Sequence, residues 1–473
     1  MDKRKILIMK FGGTSVGSAD AIRQTAQIVR DCTNGEISLV VVVSAMNGVT
    51  NLLFDSAGAA SEGDHQQYLA DIEMIREKQL NAVAGLDLSK SAANELRLMI
   101  DDFISQLQNY CQSIAVLGEV TPRGLDAIAS LGERMNARLV SAQLRALGLS
   151  SQAIDADRLI VTDNAFQHAN PLKEETNRKT RAVILPAMDE GIIPVVTGFI
   201  GATSDGIITT LGRGGSDYTA AVLGDALDAA EVWTWTDVDG VMTADPSIVK
   251  DARVISNLTF DEVSEMAYFG AKVLHPKTMR PLIEKNIPIR VKNTFNPQAP
   301  GTCISADAQQ KPGKISCVTA IRNVSLITVR GRGMLGVPGV AARTFSAVAA
   351  EKASVLMISQ SSSEQSICFV IPDSDTRSVI GSLENELAFE MERGDIDAVS
   401  ALRDVVIVTA IGAGMRHTPG VSARIFKALG EENINVIAIA QGSSEYSISM
   451  IVASHEADQA VRQIHREVVI NGH

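Results

Sequence analysis

The sequence lacks the marks of membrane, secreted and nucleic-acid-binding chains. Aromatic residues make up only 4% of it, and no apolar run approaches the roughly 18 residues needed to span a bilayer. Lysine and arginine are outnumbered by aspartate and glutamate, 43 against 55, giving a formal net charge of −12. That balance argues against nucleic acid or an anionic membrane as the main partner, while leaving room for a local basic pocket. The five cysteines, Cys32, Cys111, Cys303, Cys317 and Cys368, are odd in number and form no CxxC pair. They build neither a disulfide framework nor a thiolate metal site, which points to a reducing, cytosolic setting. The seven histidines show no metal-ligand spacing, so no metal site is expected, and no Ser-His-Asp or Cys-His nucleophile pattern is evident. The N-terminal MDKRKILIMKFGG places basic residues before an apolar run, but ILIM ends after four residues at Lys10 and reads as a first β-strand rather than a signal peptide.

What is present is a globular composition, 45% apolar and 21% charged, over 473 residues, too many for one ordinary core. Up to about residue 300, short β-branched runs such as ILIMKF, SLVVVVSA, IIPVVTGFI, GIITTL, EVWTWTDV and IPIRVKN alternate with helical patterns. That alternation predicts an α/β domain with a mainly parallel central sheet between helices. Residues 62 to 148 read as nearly all helical, and the aperiodic segment 296 to 314 holds the expected domain boundary. The predicted division is 1–305 and 315–473. Beyond the boundary, residues 331 to 372 align without a gap on residues 412 to 453, with close to half the positions identical. Each copy reads as a βαββ unit too small to bury a core well alone, so the two, at about 320–395 and 400–473, are expected to pack on each other.

Several polar stretches sit at predicted strand ends. In KFGGTSVGS, Lys10, Gly12, Gly13 and Ser15 combine a cation with backbone N–H groups that glycine leaves accessible, a phosphate-binding arrangement or an ordinary strand-to-helix turn. SAMNGVTNLL offers Ser44, Asn47 and Thr50 as ligand contacts, or an Asn-Gly turn with Thr50 as a cap. Glu133 in SLGERMNARL reads either as part of a solvated face or as a buried carboxylate able to receive an ammonium group. TTLGRGGSDYTAAVLGDAL reads as loop, cap, helix: Arg213 suits a carboxylate, Gly214 and Gly215 admit close approach, and Ser216 and Asp217 begin the helix. The acidic Asp217 fits a phosphate site only beside a cation, either Mg²⁺ on the nucleotide or a lysine that it orients. TWTDVDGVMTADP makes a polar loop suited to a sugar or purine edge, or a surface hairpin, and Lys292 and Asn293 end another strand. His275, in a His-Pro turn, reads as structural.

Taken together, KFGGTS, SAMNGVTNLL, SLGE, TGFIG, TTLGRGGSDYTAA, WTDVDGVMTADP, EMAYFGAKVLHPKT and VKNTF occur in the order seen in the aspartate kinase family, and the repeats resemble its paired regulatory ACT units. The resemblance covers essentially the whole chain. It implies the amino acid kinase fold, followed by a pair of βαββ ACT-like units. It also implies transfer of the γ-phosphoryl group of Mg-ATP to the β-carboxylate of L-aspartate, the first step toward lysine, threonine and methionine. With only about 20 residues after the second repeat, the chain is expected to be monofunctional, without a fused homoserine dehydrogenase.

By the same resemblance, Lys10 and Asp217 are the catalytic pair, and Ser44, Thr50, Glu133, Arg213, Gly214, Gly215 and Ser216 hold aspartate. Lys10, Phe11, Gly12, Gly13, Ser15, Thr236, Asp237, Met242, Lys292 and Asn293 hold ATP. An amino-acid effector, lysine or threonine or both, is expected at Met334, Gly336, Val337, Pro338, Gln360, Ser361, Ser362 and Gln441, in a homodimer or homotetramer made through the ACT units. Two departures stand out: Met242 where many members carry tyrosine, and Ser247 where many carry arginine. A backbone contact survives the first, whereas an arginine-to-phosphate contact does not survive the second. The rival readings are another amino acid kinase, acting on glutamate, acetylglutamate, carbamate or UMP, and a non-catalytic amino-acid sensor. A dinucleotide-binding dehydrogenase is disfavoured because KFGGTS is not GxGxxG.

Overall fold

The computed structural model describes residues 5–33, 37–271, 274–308, 312–334, 339–360, 365–442 and 444–470. The chain forms two compact units: residues 1–241, 254–260 and 274–308 make the first, and 242–253, 261–273 and 309–473 the second.

The first unit runs β1 (Lys5–Phe11), α1 (Ala19–Asp31), β2 (Ile37–Val43), α2 (Val49–Ser61), α3 (His65–Gly85), α4 (Lys90–Leu117), α5 (Pro122–Ala146), β3 (Ser151–Ile154), β4 (Val161–Thr162), α6 (Lys173–Asp189), β5 (Ile193–Thr197), β6 (Ile200–Thr203), β7 (Ile208–Thr210), α7 (Gly215–Leu227), β8 (Glu231–Thr236) and β9 (Asn257–Leu258). α8 (Phe260–Tyr268) lies in the second unit but for its first residue, and α9 (Pro276–Ile283), β10 (Ile289–Asn293) and β11 (Thr302–Ile304) return to the first. The central sheet has the order β3-β5-β2-β1-β8-β10-β11-β9, parallel throughout except for the antiparallel β10–β11 pair. Burial along most of β1, β2 and β5 follows from their mainly apolar runs, since helices cover both faces of such a sheet. A separate small sheet, β4-β6-β7, lies beside it. The stretch read as helical is α3, α4 and α5, whose starts are fixed by side-chain caps from Asp64, Ser89 and Thr121, with Pro122 at the first helical position.

In the second unit, β12 (Cys317–Arg330), α10 (Val340–Ala350), β13 (Met357–Gln360), β14 (Ser366–Pro372), α11 (Thr376–Glu386) and α12 (Ala388–Glu392) precede β15 (Ala398–Ile411), α13 (Val421–Glu431), β16 (Ala438–Gln441), β17 (Ser447–Ala453) and α14 (Ala457–Ile464). They form one antiparallel sheet, β13-β14-β12-β15-β17-β16. The two fourteen-residue strands are shared between the repeats. The first half of β12 pairs with the second half of β15, which carries β17; the second half of β12 carries β14 and pairs with the first half of β15. The register shifts where the halves meet, and there the equivalent residues Asn323 and Asp404 take left-handed φ of 56° and 57°. The repeats thus pack by exchanging strand halves rather than as two separate βαββ blocks. Ala244 and Val249, from the segment after β8, are buried in the core of the second repeat, beside Val318, Val408 and Ile425.

Candidate active site

β5, β2, β1 and β8 lie side by side and parallel, so their carboxyl ends deliver four turns to one edge of the sheet. Lys10, next to last in β1, is buried, and its Nζ lies 2.8 Å from Oδ1 of Asp217 in the first turn of α7. The Thr234 hydroxyl of β8 donates to the same oxygen at 3.4 Å. Gly13 lies against the next turn, where an added Cβ would be 3.0 Å from the Ala45 carbonyl oxygen; the Asn47 N–H donates to the Gly13 carbonyl at 3.1 Å.

α5 approaches the same edge from the side. Glu133 is 3% exposed; its Oε1 accepts the Ala45 N–H at 3.1 Å, and its Oε2 has no hydrogen-bond partner among the described residues. Burial pushes the carboxyl up to about 8, against which the Ala45 N–H acts only partly. One turn on, Asn136 donates to the Ser44 carbonyl at 2.6 Å, tying the helix to the turn after β2.

α7 begins differently from the loop, cap, helix reading. Gly214, at φ 73°, is the N-cap and makes no side-chain cap, so Ser216 and Asp217 are first-turn residues. Gly198 provides the room, for a Cβ there would meet the Ser216 Oγ at 2.5 Å. Arg213 is exposed and has no carboxylate partner among the described residues, and the first N–H groups of the helix have no intrahelical acceptor, a setting that suits an anion.

Lys10, Gly13, Ser44, Thr50, Glu133 and residues 213–217 all line one cavity of about 730 Å³. It offers a lysine already oriented by a carboxylate, an unpaired guanidinium, a buried acid with a vacant oxygen, and a helix N-terminus. Such a set can hold a small zwitterion that carries a second carboxylate.

The amino acid kinase family model matches residues 5–293, and an ACT domain model matches 327–387 and 408–468. Aspartokinase 1, chloroplastic, of Arabidopsis thaliana is 35% identical over 471 residues, covering 98% of this chain and 80% of the relative. The chain belongs to the aspartokinase family. Escherichia coli aspartokinase III, in its R-state complex with aspartate and ADP, superposes with a TM-score of 0.79 at 31% identity, covering 98% of this chain and 100% of that one. Its T-state complex with lysine and aspartate gives 0.80. The bifunctional aspartokinase/homoserine dehydrogenase 2 of Arabidopsis thaliana is 36% identical over 464 residues, and the chain spans only 50% of its length.

Not every position expected from the aspartokinase resemblance reaches the cavity. Phe11 is fully buried and stacks on Trp235, with ring centroids 5.8 Å apart. The Gly12 N–H is taken by the Trp235 carbonyl at 3.1 Å. Ser15 is buried, accepting from the Thr294 hydroxyl at 2.7 Å and donating to the Trp235 carbonyl at 3.3 Å, so it fastens the turn from below. Lys292 pairs in register with Trp235, which places it on the sheet face opposite Lys10; its ammonium donates to the Ala299 carbonyl at 2.9 Å and lies over the Trp233 and Trp235 rings. Burial holds that ammonium below its ordinary value.

Asn293 points to the active face and donates to Asp239 at 2.8 Å, while Thr236 donates to Asp237 at 3.2 Å, forming a polar cluster at the ends of β8 and β10. Met242 falls in the second unit. Ser247 closes a tight turn through N–H and hydroxyl bonds to Asp245, of 2.8 and 2.7 Å. His275 is indeed structural, capping α9 through Nδ1.

At the effector positions, Met334 is a core side chain at 4% exposure, so it faces the interior of the first repeat. Gln360 and Gln441 end the two edge strands and are exposed, whereas Gly336, Val337, Pro338, Ser361 and Ser362 lie outside the described residues. The cavity also gathers Gln167, His168, Phe199 and Thr210, none of them named as a site residue from the sequence, although Phe199 and Thr210 stand within the TGFIG and TTLGRGG stretches. Gln167 and Phe199 both take left-handed φ, 68° and 69°. The NAFQHAN stretch carries no recognisable motif, so only its polar, aperiodic character could have drawn notice.

Proposed function

We propose that the chain is an aspartate kinase, transferring the γ-phosphoryl group of ATP to the β-carboxylate of L-aspartate to give 4-phospho-L-aspartate. The observation that carries the reading is the convergence of Arg213, Glu133 and the Lys10–Asp217 pair on one cavity. Arg213 receives the α-carboxylate and Glu133 the α-ammonium, with Ser44, Thr50 and Ser216 closing around the backbone of the substrate. The β-carboxylate is ionised at neutral pH, its reference pKa being about 3.9, so attack needs no general base. Catalysis then rests on alignment and charge neutralisation: Lys10, steadied by Asp217, screens the meeting of two anions while the start of α7 receives phosphoryl oxygens. ATP lies along the carboxyl ends of β1, β8 and β10, near Gly13, Thr236, Asp237 and Asn293. Mg²⁺ arrives with the nucleotide phosphates and supplies further neutralisation there. Among the described residues no group of three or more His, Cys, Asp or Glu is set to hold a metal of its own.

The ACT repeats supply feedback control by an amino acid. Lysine, present in the T-state complex of the E. coli structure, is the first effector to test, and threonine the second. Pairing through the ACT units gives a homodimer or homotetramer, and the setting is cytosolic. No helix among the described residues is long and apolar enough to cross a membrane.

The test is an ATP-dependent hydroxamate assay, in which hydroxylamine traps an acyl phosphate, run with L-aspartate, L-glutamate and N-acetylglutamate, each with and without lysine and threonine. Hydroxamate from aspartate alone is expected. Product from another acceptor would make the chain a different amino acid kinase, and no product at all would make it a sensor.

A further inference from the structure

Two helical turns before Glu133, on the same face of α5, lies Asp126, fully buried and with no ion-pair partner among the described residues. Its carboxylate accepts from Gln167 and Thr210, two residues that line the cavity. The Gln167 N–H lies 3.2 Å from Oδ1 and 2.9 Å from Oδ2; the Thr210 N–H donates to Oδ2 at 3.1 Å and the Thr210 hydroxyl to Oδ1 at 2.6 Å. Burial raises its pKa, and the hydrogen bonds from Thr210 and Gln167 act against this.

Thr210 is the last residue of β7, and Leu211, Gly212 and Arg213 follow directly. Gly212, at φ 76°, rests on the Gln167 segment so closely that a Cβ would meet the His168 Nδ1 at 2.7 Å and the Gln167 carbonyl at 2.9 Å. One carboxylate therefore ties together the helix that carries Glu133, the Gln167–His168 segment and the strand that leads into Arg213.

We infer that Asp126 is a positioning residue for amino-acid recognition, setting the separation between Glu133 and Arg213 and so selecting the length of the substrate. The inference rests on the proposed reading that these two residues hold the α-groups of aspartate. An amide cannot replace the carboxylate, because its NH₂ would face N–H donors where an acceptor is needed. A small error in that separation is costly, since a misplacement of about 1 Å can lower a rate about a hundredfold.

The experiment compares wild type, Asp126→Asn, Thr210→Val and Leu144→Ala. Leu144→Ala is a core truncation on the same helix at a residue that does not line the cavity, and it controls for lost stability alone. In Asp126→Asn, KM for aspartate is expected to rise about tenfold or more while KM for ATP stays within about twofold, and the preference for aspartate over glutamate falls. Thr210→Val, which removes only the hydroxyl bond, gives the same split at about threefold and keeps the test open should Asp126→Asn fail to fold. The Leu144 variant lowers the melting temperature without the split. A KM for aspartate unchanged in both wall variants, or moved together with that for ATP as in the Leu144 variant, overturns the inference. Wild type that makes no product with aspartate overturns instead the functional reading beneath it.

Discussion

Glu133 is the residue whose chemistry is most exposed to measurement. Its ordinary carboxyl value of 4.5 is pushed up to about 8 by burial, so near neutrality the free protein holds it protonated, whereas an ammonium ligand favours the anion. Aspartate binding at pH 7 should therefore release about one proton per site, read as a dependence of the calorimetric heat on the ionisation enthalpy of the buffer. KM for aspartate should fall as pH rises from 6 to 8. The same shift bears on stability. The unfolded chain loses this proton near 4.5 and the folded one keeps it until about 8, so the group weakens the fold progressively across that window as pH rises. Glu133→Gln should abolish the proton release and raise KM for aspartate far more than for ATP, while its melting temperature gains on wild type between pH 6 and pH 8. For Lys10→Ala we expect kcat to fall by about a hundred- to a thousandfold with an unchanged circular dichroism spectrum; near-normal turnover would remove Lys10 from the chemistry. The sequence showed these two residues because each stands in a compact motif. It could not show that Asp126, Gln167 and Thr210 meet, since they come from three distant segments, nor that Phe11 and Ser15 turn away from the cavity, because the alternating faces of β1 and the Thr294 contact are set by packing.

At the scale of elements, most of the α/β unit was legible, since its strands are short, mainly apolar β-branched runs and α3 to α5 carry capping residues at their starts. The exchange of strand halves between the repeats was not, because βαββ periodicity is the same whether a fourth strand comes from the same copy or the other. Its local signature is the left-handed pair Asn323 and Asp404, both exposed, where asparagine and aspartate are the side chains best able to take that conformation. Replacing Asn323 with valine should cost about 1 to 2 kcal/mol in urea unfolding, and replacing it with glycine much less. A negligible cost for valine would mean that the kink is not needed to join the halves.

For the molecule as a whole, the two compact units do not follow one cut in the sequence. Residues 242–253 and 261–273 belong with the unit that carries the ACT repeats, and Ala244 and Val249 fill part of its core. A fragment ending at residue 308 would leave that apolar surface uncovered, and we expect it to aggregate or to show far less activity than the intact chain, by gel filtration and hydroxamate assay. A soluble, fully active fragment would show that those segments refold without their partners.

The shared strands have a consequence for inheritance. Once two duplicated copies have traded strand halves, neither can be deleted without removing part of a strand from the survivor's sheet. Such a duplication is held in the lineage by geometry, whatever selection asks of either copy separately.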